Sequence, residues 1–370
     1  MHLNGQEPLS EPPLRANSAR MRNTFSICIP AFNRPAELRE LLNSLVSEAP
    51  GDWEILISED CSPRQAEITE AVKDFVSEHP YLSVRFLTTP ANLGYDGNLR
   101  FLIDNAFGRY CVFMGDDDIW CPGALNELRR ATNTVPGLGV ILRAWRTVSK
   151  CSGQVLEEHR YFAGDRLFTP GPTTVAAFFR RSIFISGLTI LTEAARAART
   201  ERFDGTLLYQ LHLAGNVLMT RPGYYVSQVT AFRRAGGEHY FGSSERERGR
   251  FAPRQLSPDH SLNFVRGLLE ITRSLERNYG HEVGRLIRSD LGRYSYPLLA
   301  IQARSLSRAA FQRYASALSE LGFGQSLWFG VYRAALTLGG VQRCDVVINM
   351  LKRLLGSTPV LTGAHGSRLP

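Results

Sequence analysis

Residues 110–125 read YCVFMGDDDIWCPGAL, and the parsing of this stretch decides the fold. YCVFMG is an apolar run of strand length, and three consecutive carboxylates, Asp116, Asp117 and Asp118, follow it directly. Adjacent acids repel one another, and beside a core they are costly unless a cation neutralises them. Three readings stand. Two of the acids can take a hard cation such as Mg or Mn through oxygen, with the cation's open positions holding phosphate oxygens. They can cap a helix starting near Pro122, since Asp is favoured at an N-cap and before Pro in a first turn. They can also form a solvated turn. A cap needs one acid rather than three, so the metal reading leads, and one acid could cap while others ligate.

Upstream of this stretch the chain alternates between two periods. FSICIPAF (25–32) is a short apolar run, and AELRELLNSLVSEA (36–49) carries Leu38, Leu41, Leu42 and Leu45 at helical spacing. WEILISED and AEITEAVKDFVSEHP repeat the pair, LSVRFLTT is a third strand, GYDGNLRFLIDNAFG a third helix, and YCVFMG the fourth strand. Strands alternating with helices of this length imply a mainly parallel sheet with helices on both faces, which binds ligands beyond the carboxyl ends of its strands. Polar groups do cluster there. Pro30 to Arg34 follow the first strand, Glu59 and Asp60 the second, Asn92 and Gly94 the third, and the acid triplet the fourth. A carboxylate at Glu59 or Asp60 can accept hydrogen bonds from a nucleobase or ribose, or cap the next helix. Gly94 permits a close backbone approach or merely punctuates a loop.

Further along, VILRAWRTVS and VLEEHRYF read as strands, NVLMTRPGYYVSQVTAFRR as a late strand pair, and DGTLLYQLHLAGN as a helix. From about residue 255 the chain turns helical and Arg-rich.

The order IPAFNR, SEDCS, NLGYDGN, GDDDIWCPGAL resembles the family 2 glycosyltransferases of GT-A fold, a Rossmann-like α/β architecture, here with a helical C-terminal region. Gly115 before the acids is similar to the abequosyltransferase-like enzymes of O-antigen synthesis. The resemblance covers residues 24–130 well, 180–235 loosely, and the C-terminal third only as a helical appendage. It implies an inverting transferase that moves a sugar from a nucleotide-sugar donor to a hydroxyl of a saccharide or lipid-linked saccharide, with Mn or Mg as cofactor. Pro30, Ala31, Phe32 and Arg34 would line the nucleotide pocket and Asp60 would contact the base. Glu59, Asn92, Gly94 and Asn98 join the donor-binding candidates. Asp116, Asp117 and Asp118 would hold the metal and diphosphate, with Asp117 at the main ligand position and Gly115 where the family has its first acid. The family also carries an acidic base on a later helix. Here ERFDGTLLYQLHLAG keeps Phe203 and Asp204 but has Tyr209 and Gln210 in place of the acidic pair. Asp204 is the nearest carboxylate for the base, and an N-cap is its alternative. His212, with a near-neutral intrinsic pKa, could also serve, or be a satisfied buried histidine.

Charge and cysteines bound the rest. Net charge is +8, and its origin is C-terminal: residues 1–244 hold 25 Lys/Arg against 26 Asp/Glu, and residues 245–370 hold 18 against 9. The organisation expected is a disordered lead-in over 1–23, a catalytic domain over 24–250 and a basic helical region over 251–370. Trp328, Phe329, Tyr332 and Arg333, near Lys352 and Arg353, suit an anionic membrane surface, with a solvated basic face as the plainer account. No nucleic-acid-binding signature accompanies the charge. Six cysteines without metal-site spacing fit a cytoplasmic chain, with peripheral binding at the inner face of the plasma membrane as an option. Two other functions compete. A nucleotidyltransferase would want a Gly-rich basic loop after the first strand, which IPAFNRPAEL lacks. A noncatalytic nucleotide-binding module would explain the missing acidic pair.

Overall fold

A computed structural model describes residues 24–253 and 257–355; the lead-in expected over 1–23 lies outside them. The first half follows the alternation read from the sequence: β1 (Phe25–Ala31), α1 (Pro35–Leu45), β2 (Trp53–Glu59), α2 (Gln65–Glu78), β3 (Val84–Thr88), α3 (Gly94–Asn105) and β4 (Tyr110–Phe113). Then come β5 (Ile119–Trp120), α4 (Ala124–Thr134), β6 (Val140–Ser149), β7 (Val155–His159), β8 (Arg166–Phe168), α5 (Pro172–Phe179), β9 (Thr189–Leu191), α6 (Thr192–Ala197), α7 (Tyr209–Thr220) and β10 (Gly223–Ala235). One sheet results, in the order β3-β2-β1-β4-β9-β6-β10-β5, with β7 paired to β6 and β8 to β10. The long ladders, β1 with β2 and β6 with β10, are parallel, and the short pairings of β5, β8 and β9 are antiparallel.

Side-chain alternation builds a core on each face. Ile27, Ile29, Ile55 and Ile57 point to a core closed by α1, α2 and α4, where Leu38, Leu41, Leu42 and Leu45 are all buried. Each such leucine contributes roughly 1.5–3 kcal/mol. Cys28 and Leu56, one step out of phase, point to the opposite core with α3, α5 and α7. The C-terminal helices α8 (Pro258–Tyr279), α9 (His281–Arg293), α10 (Tyr296–Ser305), α11 (Arg308–Glu320) and α12 (Leu327–Leu355) extend this second core, so the helical region expected from 251 onward is packed on the sheet domain through α7·α8 and α5·α9 contacts.

Two local readings change. The segment read as a late strand pair is the end of α7 followed by one 13-residue strand, β10, which keeps register with β6 by irregularities between Val226 and Val229 and between Val229 and Ala231. The helix expected from Asp204 begins only at Tyr209, because Gly205 (φ 79) and Leu207 (φ 64) are both left-handed.

Candidate active site

The carboxyl ends of β1 to β4 open into one cleft of about 580 Å³, walled on its far side by the turn after β10 and by α8 and α10. Its lining gathers Pro30, Phe32, Arg34, Asp60, Asn92, Gly94, Asn98, Asp116, Asp117 and Asp118 from the residues singled out in the sequence. Two of the donor-binding candidates do not reach it. Ala31 and Glu59 are fully buried under the edge; Ala31 accepts from Asp60 N at 3.1 Å, and Glu59 Oε1 accepts from Ser62 N at 2.9 Å. They belong to strands buried on both faces, so an end position alone does not bring them into the cleft.

The acids occupy a tight turn between β4 and β5, closed by Asp118 N donating to Gly115 O at 3.1 Å. Pairing of Ile119 and Trp120 with Phe232 and Ala231 of β10 holds its far end. None of the three caps α4, which starts at Ala124 after a left-handed Gly123, so the capping reading falls away. Gly115 has a steric reason. A Cβ there would lie 3.2 to 3.3 Å from Asp118 Oδ2, Asp117 Oδ1 and Ser186 Oγ, leaving little room for another acid.

The three carboxylates differ in attachment. Asp116 accepts from Phe32 N at 2.9 Å and from Arg34 Nη1 at 2.7 Å. Asp118 accepts from Ser186 Oγ and, at 3.4 Å, from Arg234 N. Burial pushes Asp116 up to about 6, against the pull of Arg34, and Asp118 up to about 7, with the neighbouring Asp117 adding to it. Asp117 is the open one: its side chain is 30% exposed, with Arg34 Nη2 3.3 Å from Oδ2. Below it, Arg234 Nε donates to the Asp117 backbone oxygen at 2.5 Å, which fixes the turn.

This donor set suits a hard cation held through one or two carboxylates, with diphosphate and water filling the other positions. Among the described residues no group of three or more His, Cys, Asp or Glu forms a full protein cage. Asp117 is the carboxylate left open to the cleft, and Asp116 and Asp118 are tied down around it.

At the end of β2, Asp60 Oδ1 accepts from Leu93 N at 2.8 Å and from Thr89 Oγ1 at 3.0 Å, and burial nevertheless raises its pKa to about 6. Asn98 Nδ2 donates to Ser58 O at 3.2 Å. Asn92 Oδ1 accepts from Gly94 N at 2.9 Å. Gly94 does allow a close approach, but of the protein's own chain: with φ 74, its missing Cβ would lie 2.5 Å from Ser244 Oγ and 2.8 Å from Glu247 Oε1.

The two candidate bases lie elsewhere, and neither lines the cleft. Asp204 is clamped by Arg100, at 2.5 and 2.8 Å, and by the exposed Arg246, so its lone pairs are engaged in a half-buried ion-pair cluster. His212 bonds Ala198 O through Nε2 at 2.8 Å and Asn216 Nδ2 through Nδ1 at 3.1 Å. It is a satisfied core histidine, held below its usual pKa by burial.

The turn after β10 was not singled out from the sequence. Gly236, Gly237, His239 and Tyr240 line the cleft opposite the acids, and Arg34 bonds the Glu238 backbone oxygen and lies 5.1 Å over the Tyr240 ring. His239 is half-buried; burial, then Arg34, hold its pKa below the usual imidazole value. The signal was available, since GGEHY follows a strand end as the other polar sets do.

Residues 26–185 match the sequence profile of glycosyl transferase family 2. Over 107 residues the chain is 35% identical to abequosyltransferase RfbV of Salmonella typhimurium, covering 28% of this chain and 31% of that protein. Over 109 residues it is 30% identical to the GalNAc(5)-diNAcBac-PP-undecaprenol beta-1,3-glucosyltransferase of Campylobacter jejuni, covering 30% and 34% respectively. The chain thus spans about a third of the curated relatives it matches. Among solved structures, S. aureus TarS 1–349 in complex with UDP-GlcNAc superposes with a TM-score of 0.57 at 14% identity, over 90% of this chain and 92% of that one. At that identity the likeness shows the fold, which is the GT-A fold.

Proposed function

From a chain with a family 2 glycosyltransferase region on a GT-A fold, we propose an inverting, metal-dependent glycosyltransferase. It moves a sugar from a nucleoside-diphosphate donor to a hydroxyl of a lipid-linked saccharide in bacterial surface polysaccharide or glycolipid synthesis. The observation that carries this reading is the meeting, in one cleft, of a base-side carboxylate, Asp60, with the Arg34–Asp116–Asp117 cluster. Asp60 would accept a hydrogen bond from the nucleobase while Pro30 and Phe32 border it. As the anomeric C–O bond breaks, negative charge grows on the departing diphosphate, and Arg34 and Arg233 stand in the cleft to meet it. A cation held by Asp117 would supply Lewis-acid neutralisation of the same oxygens. The acceptor hydroxyl attacks from the opposite face in a single displacement, which inverts the anomeric centre and needs no carboxylate nucleophile. With Asp204 and His212 outside the cleft, His239, which lines it together with His260, would take the acceptor's proton.

The acceptor's lipid would lie at an anionic membrane surface met by α12, on the cytoplasmic side. The sequence offered Phe329 and Tyr332 for this contact, but they are 2% and 6% exposed: with Leu336 they form the inward stripe of the helix. The outward stripe is aliphatic, with Leu327, Val331 and Leu338 before the break at Gly340 and Val346, Val347 and Met350 after it. The side chains of Lys352 and Arg353 lie outside the described residues. No helix among the described residues is long and apolar enough to cross a membrane.

A thermal-shift screen of UDP, GDP, CDP and dTDP, each with and without manganese, tests the donor site; a selective shift that needs the cation supports it. Hydrolysis or transfer of the matching nucleotide sugar then separates an enzyme from a noncatalytic nucleotide-binding module, which would bind without turnover. Sedimentation with phosphatidylglycerol vesicles tests the membrane face. Leu338→Asp with Val346→Asp should abolish binding, and equal sedimentation of this variant would remove α12 from the account.

A further inference from the structure

Gln210 stands where the resembling family has an acidic pair, and the fold gives it a definite chemistry. The residue is 1% exposed yet lines the cleft. Its Nε2 donates to the Ile183 backbone oxygen at 3.0 Å, while its Oε1 has no hydrogen-bond partner. A backbone carbonyl can only accept, so it fixes which way the carboxamide lies: the NH2 faces Ile183 and the oxygen is left for something else. Buried carbonyl oxygens are nearly always paired, which makes an orphan in a ligand cleft a marker for a missing donor.

The chain ahead of Gln210 is strained in order to hold it there. Leu207 adopts φ 64, a region that a branched side chain rarely occupies. The Asp96 carboxylate on α3 accepts from Leu207 N at 2.8 Å and from Tyr209 N at 2.9 Å, pinning this turn and the start of α7. The segment that holds the Gln210 amide also reaches the acid turn, because Ser186, three residues beyond Ile183, bonds both Gly115 N and Asp118. A diphosphate at Asp117 would therefore carry its sugar toward this segment.

Resting on the transferase reading, we propose that Gln210 is a specificity-determining residue whose Oε1 accepts a hydrogen bond from a hydroxyl of the donor's sugar. A carboxamide oxygen accepts that bond without removing the proton, so Gln210 orients the sugar and takes no part in deprotonating the acceptor. A site built to pair with a hydroxyl discriminates strongly against an analogue that lacks it, because the buried oxygen is then left unpaired.

The test titrates the full chain, with manganese, against UDP-, GDP-, CDP- and dTDP-glucose and the corresponding free diphosphates, then against monodeoxy forms of the glucose nucleotide that binds. Gln210→Leu should weaken that nucleotide sugar at least tenfold and leave the free diphosphate unchanged. One deoxy form should lose a similar factor in the wild type and nothing further in Gln210→Leu. Free-diphosphate affinity and Tm, read on Gln210→Leu alongside the wild type, control for folding. Wild-type affinity for the nucleotide sugar in Gln210→Leu, or identical deoxy penalties in both proteins, overturns the assignment. Absence of any diphosphate binding in the wild type would instead overturn the transferase reading on which it rests.

Discussion

Replacing Arg34 by Met keeps the aliphatic stem and removes the charge that faces the acid turn. The guanidinium lies 2.7 Å from Asp116 Oδ1 and 3.3 Å from Asp117 Oδ2, bonds the Glu238 backbone oxygen, and covers Tyr240. Removing one partner of a fully buried pair costs about 3–5 kcal/mol, whereas fully exposed pairs are worth under about 1 kcal/mol. Here the Asp116 side chain is 4% exposed and that of Arg34 17%, which lies near the buried limit but gives solvent some access. About 2–3 kcal/mol is therefore expected for Arg34→Met, or a fall in Tm of roughly 3–4 °C for a chain of this size. Differential scanning calorimetry reads the shift directly. Arg34→Lys should recover only part of it, because an ammonium cannot reach both carboxylates in the same fork. The variant should also bind nucleoside diphosphate more weakly, since the turn after β10 loses its anchor. A Tm within about 1 °C of the wild type together with unchanged diphosphate affinity would refute the claim that Arg34 organises the acids.

Other expectations concern the nucleotide side and the discarded base. Asp60, raised to about 6, is ionised above that pH and protonated below it, so a nucleobase bond to its carboxylate should weaken as pH falls. Nucleotide affinity should drop roughly tenfold between pH 7 and pH 5 in the wild type, and this component should vanish in Asp60→Asn; titration calorimetry at the two pH values checks it. Gly94→Ala would drive a methyl into Ser244 and Glu247 at a left-handed position, costing about 1–2 kcal/mol from the backbone alone, and should both lower Tm and weaken donor binding by displacing the turn around Glu247. Asp204→Asn should unfold more readily, because Arg100 and Arg246 lose their shared counter-charge, while kcat stays within about twofold of the wild type. A kcat loss of a hundredfold or more would return Asp204 to the chemistry.

What the sequence made legible was local or periodic. The four strands and three helices from Phe25 to Phe113 follow from apolar spacing, and the rule that ligands bind beyond strand ends brought Pro30, Arg34, Asp60, Gly94 and the acids to one cleft. Glu59 and Ala31 failed because strand-end position does not fix the direction of a side chain. Asp204 and His212 failed because their partners are remote or hidden in the helix pattern: Arg100 lies 104 residues before Asp204, and Ala198 packs against α7 only in the folded chain. The turn after β10 stayed unread because the sequence does not show that β10 runs parallel to β6, the pairing that brings its carboxyl end to the cleft. Aromatic residues on α12 were taken for a surface by composition, whereas their i, i+3, i+7 spacing at 329, 332 and 336 is the spacing of an inward face.

The central claim is that the carboxylates beyond β4, Asp117 foremost, hold a divalent cation that binds the donor's diphosphate. Calorimetric titration of the preferred nucleoside diphosphate into the wild type and Asp117→Asn, each with manganese and with chelator, measures this directly. The account predicts cation-dependent binding in the wild type and a loss of at least tenfold in the variant, confined to the manganese arm. Binding of equal strength with chelator, or an Asp117→Asn isotherm that overlays the wild type in manganese, would contradict it.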